Sequence, residues 1–155
     1  MKLDEQGLKE WGRWIGQTLK PPATLGLIGS LGAGKSVLAR AIGEGAGVQV
    51  PMPSPSFNLL FRYETDGGRE VVHLDLYRIA SPDDLWELGW NELGVENEII
   101  IVEWPEQARD LMPPDHWLIH LTVVAENIAL RDVRVQKVGS PKNELVAFPI
   151  SSSER

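Results

Sequence analysis

The sequence predicts one α/β domain, in which a mostly parallel sheet is flanked by helices and carries an antiparallel hairpin. The chain has 155 residues, of which 43% are hydrophobic, and this is enough for one compact core. The runs 23–28 and 98–103 are almost continuously apolar, as expected of buried parallel strands. Segments with helical periodicity lie between the strand-like runs, which favours the α/β class.

The individual elements follow from periodicity and from turn residues. The predicted helices are 4–19, which ends before Pro21-Pro22, a second one to about residue 46, 83–93, and a short one ending near Met112. The predicted strands are 23–28, 57–64, 69–77, 98–103, 116–124 and 128–138. Asp66-Gly67-Gly68 predicts the hairpin turn, and the Pro/Ser-rich stretch 51–56 predicts a loop. We expect residues 139–155 to be a C-terminal extension that is partly disordered.

Composition restricts the possible functions. The chain has no cysteine, which excludes disulfides, thiolate metal sites and a cysteine nucleophile. No apolar run approaches the roughly 20 residues of a membrane span, and the N-terminus lacks a signal peptide, so we expect a cytoplasmic protein. The net charge is −7 and no cluster of Lys or Arg occurs, so any RNA is expected to be held by a partner.

A glycine-rich segment carries the strongest functional signal. Gly29-Ser30-Leu31-Gly32-Ala33-Gly34-Lys35-Ser36 satisfies the phosphate-loop pattern G-x-x-x-x-G-K-[ST]. Its glycines allow left-handed backbone angles, and its N–H groups then point at the phosphates from the start of a helix. Lys35 supplies charge to the β- and γ-phosphates, and Ser36 is a ligand for Mg²⁺. An accidental glycine-rich turn would not require the strand and helix on either side, so we expect a P-loop NTPase-like domain over residues 1–138 that binds ATP with Mg²⁺. The expected cofactor-binding residues in this segment are Gly29, Leu31, Gly32, Ala33, Gly34, Lys35, Ser36 and Val37.

Two carboxylates are candidates for the chemistry. Glu103 ends the strand 98–103, where a P-loop enzyme needs a group that holds the metal's water shell or orients the attacking water. The same residue would also fit as a cap of the next helix. Asp75 lies on an alternating strand, and its position suits a catalytic role and a solvent-facing residue equally well.

The histidines are weaker candidates. His73 taken alone favours a structural role. His116 and His120 are four residues apart on a predicted strand, roughly 13 Å, which is too far for them to share one metal ion.

Several ordered motifs together resemble the bacterial TsaE (YjeE) family, the ATPase of tRNA threonylcarbamoyladenosine biosynthesis. The resemblance runs from the first helix to about residue 138. Besides the phosphate loop, the matching segments are Ser54-Pro55-Ser56-Phe57 followed by Tyr63, His73-x-Asp75-Leu76-Tyr77-Arg78, Glu87-Leu88-Gly89 and Val102-Glu103-Trp104-Pro105-Glu106.

The resemblance implies specific roles for these residues. Lys35, Glu103 and Asp75 would be catalytic, with Glu103 the Walker B-type carboxylate and Asp75 needed for turnover. Ser56 would offer a hydroxyl near the γ-phosphate, so that Ser36, Ser56 and Glu103 form the metal site, and Trp104 would lie beside the nucleotide. The implied partners are TsaB and TsaD, with tRNA reached only through them, and ATP hydrolysis would reset that complex between cycles.

Departures from the family pattern leave alternatives open. Ser30 stands where the family commonly has Asp, Ser56 replaces Thr, and Gln107 replaces a common Arg. A small-molecule P-loop kinase would need an Arg-bearing lid, for which only Arg109 is a candidate. A GTPase would need a guanine-reading Asn-Lys-x-Asp motif, which the sequence lacks. A nucleotide-dependent binding module with negligible hydrolysis shares every phosphate-site residue with an ATPase.

Overall fold

The computed structural model describes residues 1–53 and 59–145, which form a seven-stranded sheet with helices on both faces. The strands are β1 (Lys2–Leu3), β2 (Ala23–Ile28), β3 (Leu60–Glu64), β4 (Glu70–Asp75), β5 (Glu98–Glu103), β6 (His116–Val124) and β7 (Asn127–Val138). The helices are α1 (Glu5–Thr18), α2 (Lys35–Ala46), α3 (Asp83–Glu87) and the 3₁₀ helices Trp90–Glu92 and Pro105–Leu111. The order across the sheet is β1-β7-β6-β2-β5-β4-β3.

The α/β class is confirmed, and the sheet is mixed. At its centre, β6, β2, β5 and β4 pair with one another in parallel. Antiparallel strands are added at both edges, β3 on β4, and β7 followed by β1 on β6. The sheet therefore has a second hairpin, β6–β7, beside the expected one. Its connection, Ala125-Glu126, is far shorter than the crossover of about a dozen residues that a parallel pair requires.

Helices α1 and α2 cover the face of the sheet that bears the functional site. The side chains of Leu8, Trp11 and Ile15 are buried on the α1 side of this core. The two helices touch through backbone along what we call the glycine seam, Gly12, Gly16 and Gly45. A Cβ atom on Gly16 would lie 2.0 Å from the carbonyl oxygen of Ile42, and one on Gly45 would lie 2.0 Å from that of Arg13. No larger residue fits at this contact without moving a helix.

The opposite face is covered by shorter helices than the sequence predicts. The helix expected over 83–93 is only α3, because Gly89 has a left-handed φ of 77° and ends it before a separate 3₁₀ helix begins at Trp90. The helix expected after Glu103 is the 3₁₀ helix Pro105–Leu111. Leu85 and Trp90 from these segments pack on the second face of β4 and β5.

The carboxyl ends of the parallel strands meet at one edge of the sheet. Glu103 pairs in register with Leu27 on one side and with Asp75 on the other. The phosphate-loop segment follows β2 at the same edge, where open α/β sheets bind their ligands. The topology thus brings together residues that are far apart in the sequence.

After β7 the chain returns toward the start of β2. The side-chain oxygen and nitrogen of Asn143 bond to the backbone N–H and carbonyl of Lys20 at 2.7 and 2.8 Å. The Asn143 carbonyl also accepts a bond from the Trp117 indole at 2.9 Å. Residues 146–155 lie outside the described residues, so the expectation for 139–155 stays a prediction. Among the described helices, none has both the length and the apolar character needed to cross a bilayer.

Candidate functional site

The loop between β2 and α2 has the backbone geometry that a phosphate loop requires. Gly32 and Gly34 have left-handed φ angles of 79° and 107°. Gly34 is the N-cap of α2 and provides no side-chain capping bond to the first turn of the helix. A Cβ atom on Gly29 would lie 2.7 Å from the Leu121 carbonyl oxygen, so only glycine fits there. The loop is therefore closely packed at Gly29, and it leads into the start of α2, where backbone N–H groups can bind an anion.

The remaining loop residues differ in exposure. The Leu31 side chain is 69% exposed, whereas Ala33 is fully buried and Val37 lies partly buried on the first turn of α2. The side chains of Leu31 and Val37 are therefore accessible to a ligand, whereas Ala33 can contact one only through its backbone.

Lys35 is a buried cation whose described hydrogen bonds go to neutral groups. Its Nζ donates to the carbonyl oxygens of Gly29 and Ser30 at 2.5 and 2.9 Å, and it lies 4.1 Å from the centre of the Trp104 ring. Burial lowers the pKa of Lys35, and the negative charges of Glu103, Glu106 and Asp75 oppose that shift. A bound anion would give this ammonium a better partner than neutral carbonyls do.

Glu103 and Ser36, two of the three expected metal ligands, are in direct contact. Ser36 Oγ donates to Glu103 Oε1 at 2.9 Å, and the other carboxylate oxygen, Oε2, lies 2.6 Å from His73 Nε2. The side chain of Glu103 is only 2% exposed. The helix-capping interpretation of Glu103 is not supported, because the N-cap of the following 3₁₀ helix is Trp104.

Asp75 lies beside Glu103 at the end of β4 and is half-buried, so its carboxylate is neither fully exposed nor enclosed. Its carboxylate accepts a bond from the Tyr77 N–H at 3.0 Å. Burial raises the pKa of Asp75, and the charge of Glu103 raises it further, while the Tyr77 bond and Lys35 act in the opposite direction. Two adjacent carboxylates in one buried site are a common arrangement for water activation.

Trp104 connects the loop to the end of β5. Its φ of 59° is left-handed, a conformation that costs about 1–2 kcal/mol for a residue with a Cβ. Its ring packs on Tyr77 with centroids 5.0 Å apart, and its backbone N–H donates to the Leu27 carbonyl at 3.3 Å. This backbone places the indole against Lys35, and its expected position beside a nucleotide stays a prediction.

The other candidate metal ligands lie away from this site or outside the described residues. Ser56, the third expected metal ligand, belongs to the segment 54–58, which the structure does not describe. His116 Nδ1 bonds to the Pro113 carbonyl and His120 Nε2 bonds to Gln136, so these histidines do not act together. Within residues 1–53 and 59–145, no three His, Asp or Glu side chains are grouped in a way that would bind a metal ion. Ser36 and Glu103 remain the candidate metal ligands among the described residues.

Two residues that contact the site were not predicted from the sequence. His73 bonds to Glu103, a contact that depends on the register of β4 against β5. Arg131, on β7, donates to the carbonyl oxygens of Ala33 and Gly32 at 2.8 and 3.2 Å and so holds the outer side of the loop. The motif around His73 was a usable signal, whereas nothing local in the sequence connects Arg131 with the loop.

Comparisons with known proteins identify the family of this chain. A family model described as "Threonylcarbamoyl adenosine biosynthesis protein TsaE" matches residues 3–133. The "tRNA threonylcarbamoyladenosine biosynthesis protein TsaE" of Rickettsia felis is 36% identical over 80% of this chain and 72% of its own length. The protein of that name from Treponema pallidum is 31% identical over 78% of this chain and 88% of its own. A crystal structure of Bacillus subtilis YdiB, 23% identical, superposes with a TM-score of 0.71 over 90% of this chain and 86% of YdiB, which supports the fold. Since the family match spans most of the chain, this protein belongs to the TsaE family.

Proposed function

We propose that this chain binds ATP with Mg²⁺ and hydrolyses the nucleotide, as a subunit of the machinery that makes threonylcarbamoyladenosine in tRNA. The observation that carries the proposal is the 2.9 Å bond from Ser36 Oγ to Glu103 Oε1. It joins the hydroxyl after the loop lysine to a carboxylate at the end of a neighbouring parallel strand. P-loop NTPases hold Mg²⁺ with this pair of groups. An accidental glycine-rich turn gives no reason for the two side chains to meet.

The residues present fit a magnesium–nucleotide complex. Lys35 is only 5% exposed, and its ammonium is turned into the loop, where it can exchange carbonyl partners for phosphate oxygens. Mg²⁺ is usually bound by one or two protein oxygen ligands together with phosphates and water, and Ser36 and Glu103 supply that number. When bound, Mg²⁺ would neutralise phosphate charge. Ser56 stays a third ligand by resemblance only.

The two carboxylates would divide the work of hydrolysis. Glu103 is fixed by hydrogen bonds to both oxygens, which suits a group that orients others. The pKa of Asp75 is raised, so this carboxylate binds a proton more readily than an ordinary aspartate and suits a group that accepts one from water. Both act at fixed positions, so that catalysis comes from positioning and electrostatics.

A cleft beside the loop would hold the nucleoside. Its volume is about 530 Å³, within the usual range of roughly 300–1,000 Å³ for small-molecule sites. Leu8, Val37 and Ile128 provide apolar surface in it, Arg131 provides polar groups, and Gly32 and Gly34 connect it to the phosphate loop.

The proposed partners are TsaB and TsaD, in the cytoplasm, with tRNA reached through them. This assignment rests on the family and agrees with a net charge of −7, which does not favour direct binding of many phosphates.

The test is ATP turnover with Mg²⁺, measured for the protein alone and then with purified TsaB, TsaD and tRNA. Slow phosphate release that rises clearly with the partners supports the proposal. Nucleotide binding without turnover, even with the partners, would favour a binding module. A rate that ignores the partners but rises with a small phosphate acceptor would favour a kinase.

A further inference from the structure

A buried histidine contacts the proposed Walker B-type carboxylate. His73 is fully buried, on the same face of the sheet as Glu103, and its Nε2 lies 2.6 Å from Glu103 Oε2. His73 pairs in register with Ile101, so Glu103, two residues further along β5, is its diagonal neighbour. An apolar residue at this position would extend the hydrophobic layer that begins with Val71 and would leave the Glu103 oxygen without this donor.

The hydrogen bonds around Glu103 define the role of the imidazole. Each carboxylate oxygen has a different donor, Ser36 at Oε1 and His73 at Oε2. His73 Nδ1 is buried and has no hydrogen-bond partner among the described residues. A proton on Nδ1 would be an unsatisfied buried donor, so the ring carries its proton on Nε2 and donates to Glu103.

We propose that His73 is a positioning residue, which holds the Glu103 carboxylate so that Oε1 faces Ser36 and the metal-binding side of the loop. This inference rests on the proposed function, because it assigns the purpose of the contact to Mg²⁺ binding. A carboxylate with no donor at Oε2 would be free to turn away from Ser36, and in that orientation it would bind the metal's water shell less well. Groups that hydrogen-bond to a metal ligand without touching the metal typically contribute about 10–100-fold to metal affinity.

The first test compares His73→Gln with His73→Met. The two side chains have nearly the same length and volume, but only Gln places an N–H donor where Nε2 now lies. We measure binding of a fluorescent ADP analogue as Mg²⁺ is titrated. The Mg²⁺ concentration at half-saturation is expected to rise about tenfold or more in the Met variant and to stay within about threefold of wild type in the Gln variant. Equal behaviour of the two variants, whether both shifted or both unchanged, overturns the inference.

The second test needs no nucleotide and separates this inference from the proposed function. In ¹⁵N-histidine NMR of the wild-type protein, the His73 resonance, identified by its loss in His73→Gln, is expected to show a proton on Nε2. An Nε2 atom without a proton would overturn the inference, even if the Met variant fails to fold. Wild-type protein that shows this proton but binds no nucleotide at any Mg²⁺ concentration would refute the proposed function, and with it the metal-positioning role.

Discussion

The sharpest prediction concerns Glu103→Gln, which removes one charge and keeps the shape of the side chain. The carboxylate now accepts from two donors, Ser36 O–H and His73 N–H. An amide has only one oxygen, so its NH₂ group must face one of them. The serine hydroxyl can rotate to accept, whereas His73 would have to move its proton to the unpartnered Nδ1. We therefore expect the amide NH₂ to face Ser36, on the side where the metal would bind.

The structure allows the effects of this substitution on stability and on turnover to be estimated. Hydrogen bonds to a charged acceptor contribute about 1.5–3 kcal/mol each, and neutral ones about 0.5–1.5 kcal/mol, so two weakened bonds cost about 2–3 kcal/mol. Removing a buried charge offsets part of this, and the protein is expected to stay folded. Turnover is expected to fall about 100-fold or more, equivalent to about 2.7 kcal/mol, while much of the nucleotide binding persists because Lys35 and the loop are intact.

The assay is single-turnover phosphate release with Mg²⁺, together with calorimetric measurement of ADP binding. The matched control is Glu98→Gln, at the other end of β5. Glu98 is equally buried, and its oxygens accept from Gly94 N–H at 2.7 Å and from Arg62 at 2.7 Å. Its neutralisation should lower the melting temperature and leave the turnover of the folded protein unchanged. Normal turnover in Glu103→Gln would refute the Walker B-type role and make Asp75 the next candidate.

Other variants test separate parts of the site. Lys35→Ala is expected to abolish nucleotide affinity, with Lys137→Ala, a lysine over the Trp117 ring, as the control; undiminished calorimetric binding would refute the assigned site. Arg131→Met removes two hydrogen bonds to the loop and should lower nucleotide affinity about tenfold. The control, Arg134→Met on the same strand, should not lower it. Equal affinities of the two variants would show that Arg131 has no role in holding the loop. The pKa of Asp75 is raised above 3.8, so the folded state binds the carboxyl proton more tightly than the unfolded state does. The free energy of unfolding therefore falls as the pH rises from 3.8 through the pKa of the folded state. Asp75→Asn should therefore raise the melting temperature at pH 7 more than at pH 4 while slowing turnover, and a lower melting temperature at pH 7 would contradict this.

The predictable part of the fold is the part encoded locally. A strand buried on both faces is a continuous apolar run, and the loop pattern is contained in eight adjacent residues, so β2, β5 and residues 29–36 could be located from sequence. The β6–β7 hairpin could also have been predicted from the sequence, because a two-residue connection forces antiparallel pairing. By contrast, β1 is a two-residue strand with no period to detect.

The contacts within the site were less predictable, because they depend on register between distant segments. His73 and Glu103 are 30 positions apart, and Arg131 and Ala33 are 98 apart. A shift of one residue in the pairing of β4 with β5 would turn His73 to the opposite face and break the first contact. The motif around Glu103 predicted which carboxylate is the candidate for the chemistry, but not which groups hold it.

The glycine seam between α1 and α2 has a consequence for the mutational tolerance of this protein. Helix α2 is about 18 Å long and carries Lys35 and Ser36 at one end, while the seam lies near the other. A methyl group at Gly16 would displace α2 as a rigid body and lengthen the 2.9 Å bond from Ser36 to Glu103. A screen for inactive but folded variants should therefore recover substitutions at Gly12 and Gly16, on the side of α1 that packs against α2 and outside the proposed nucleotide site.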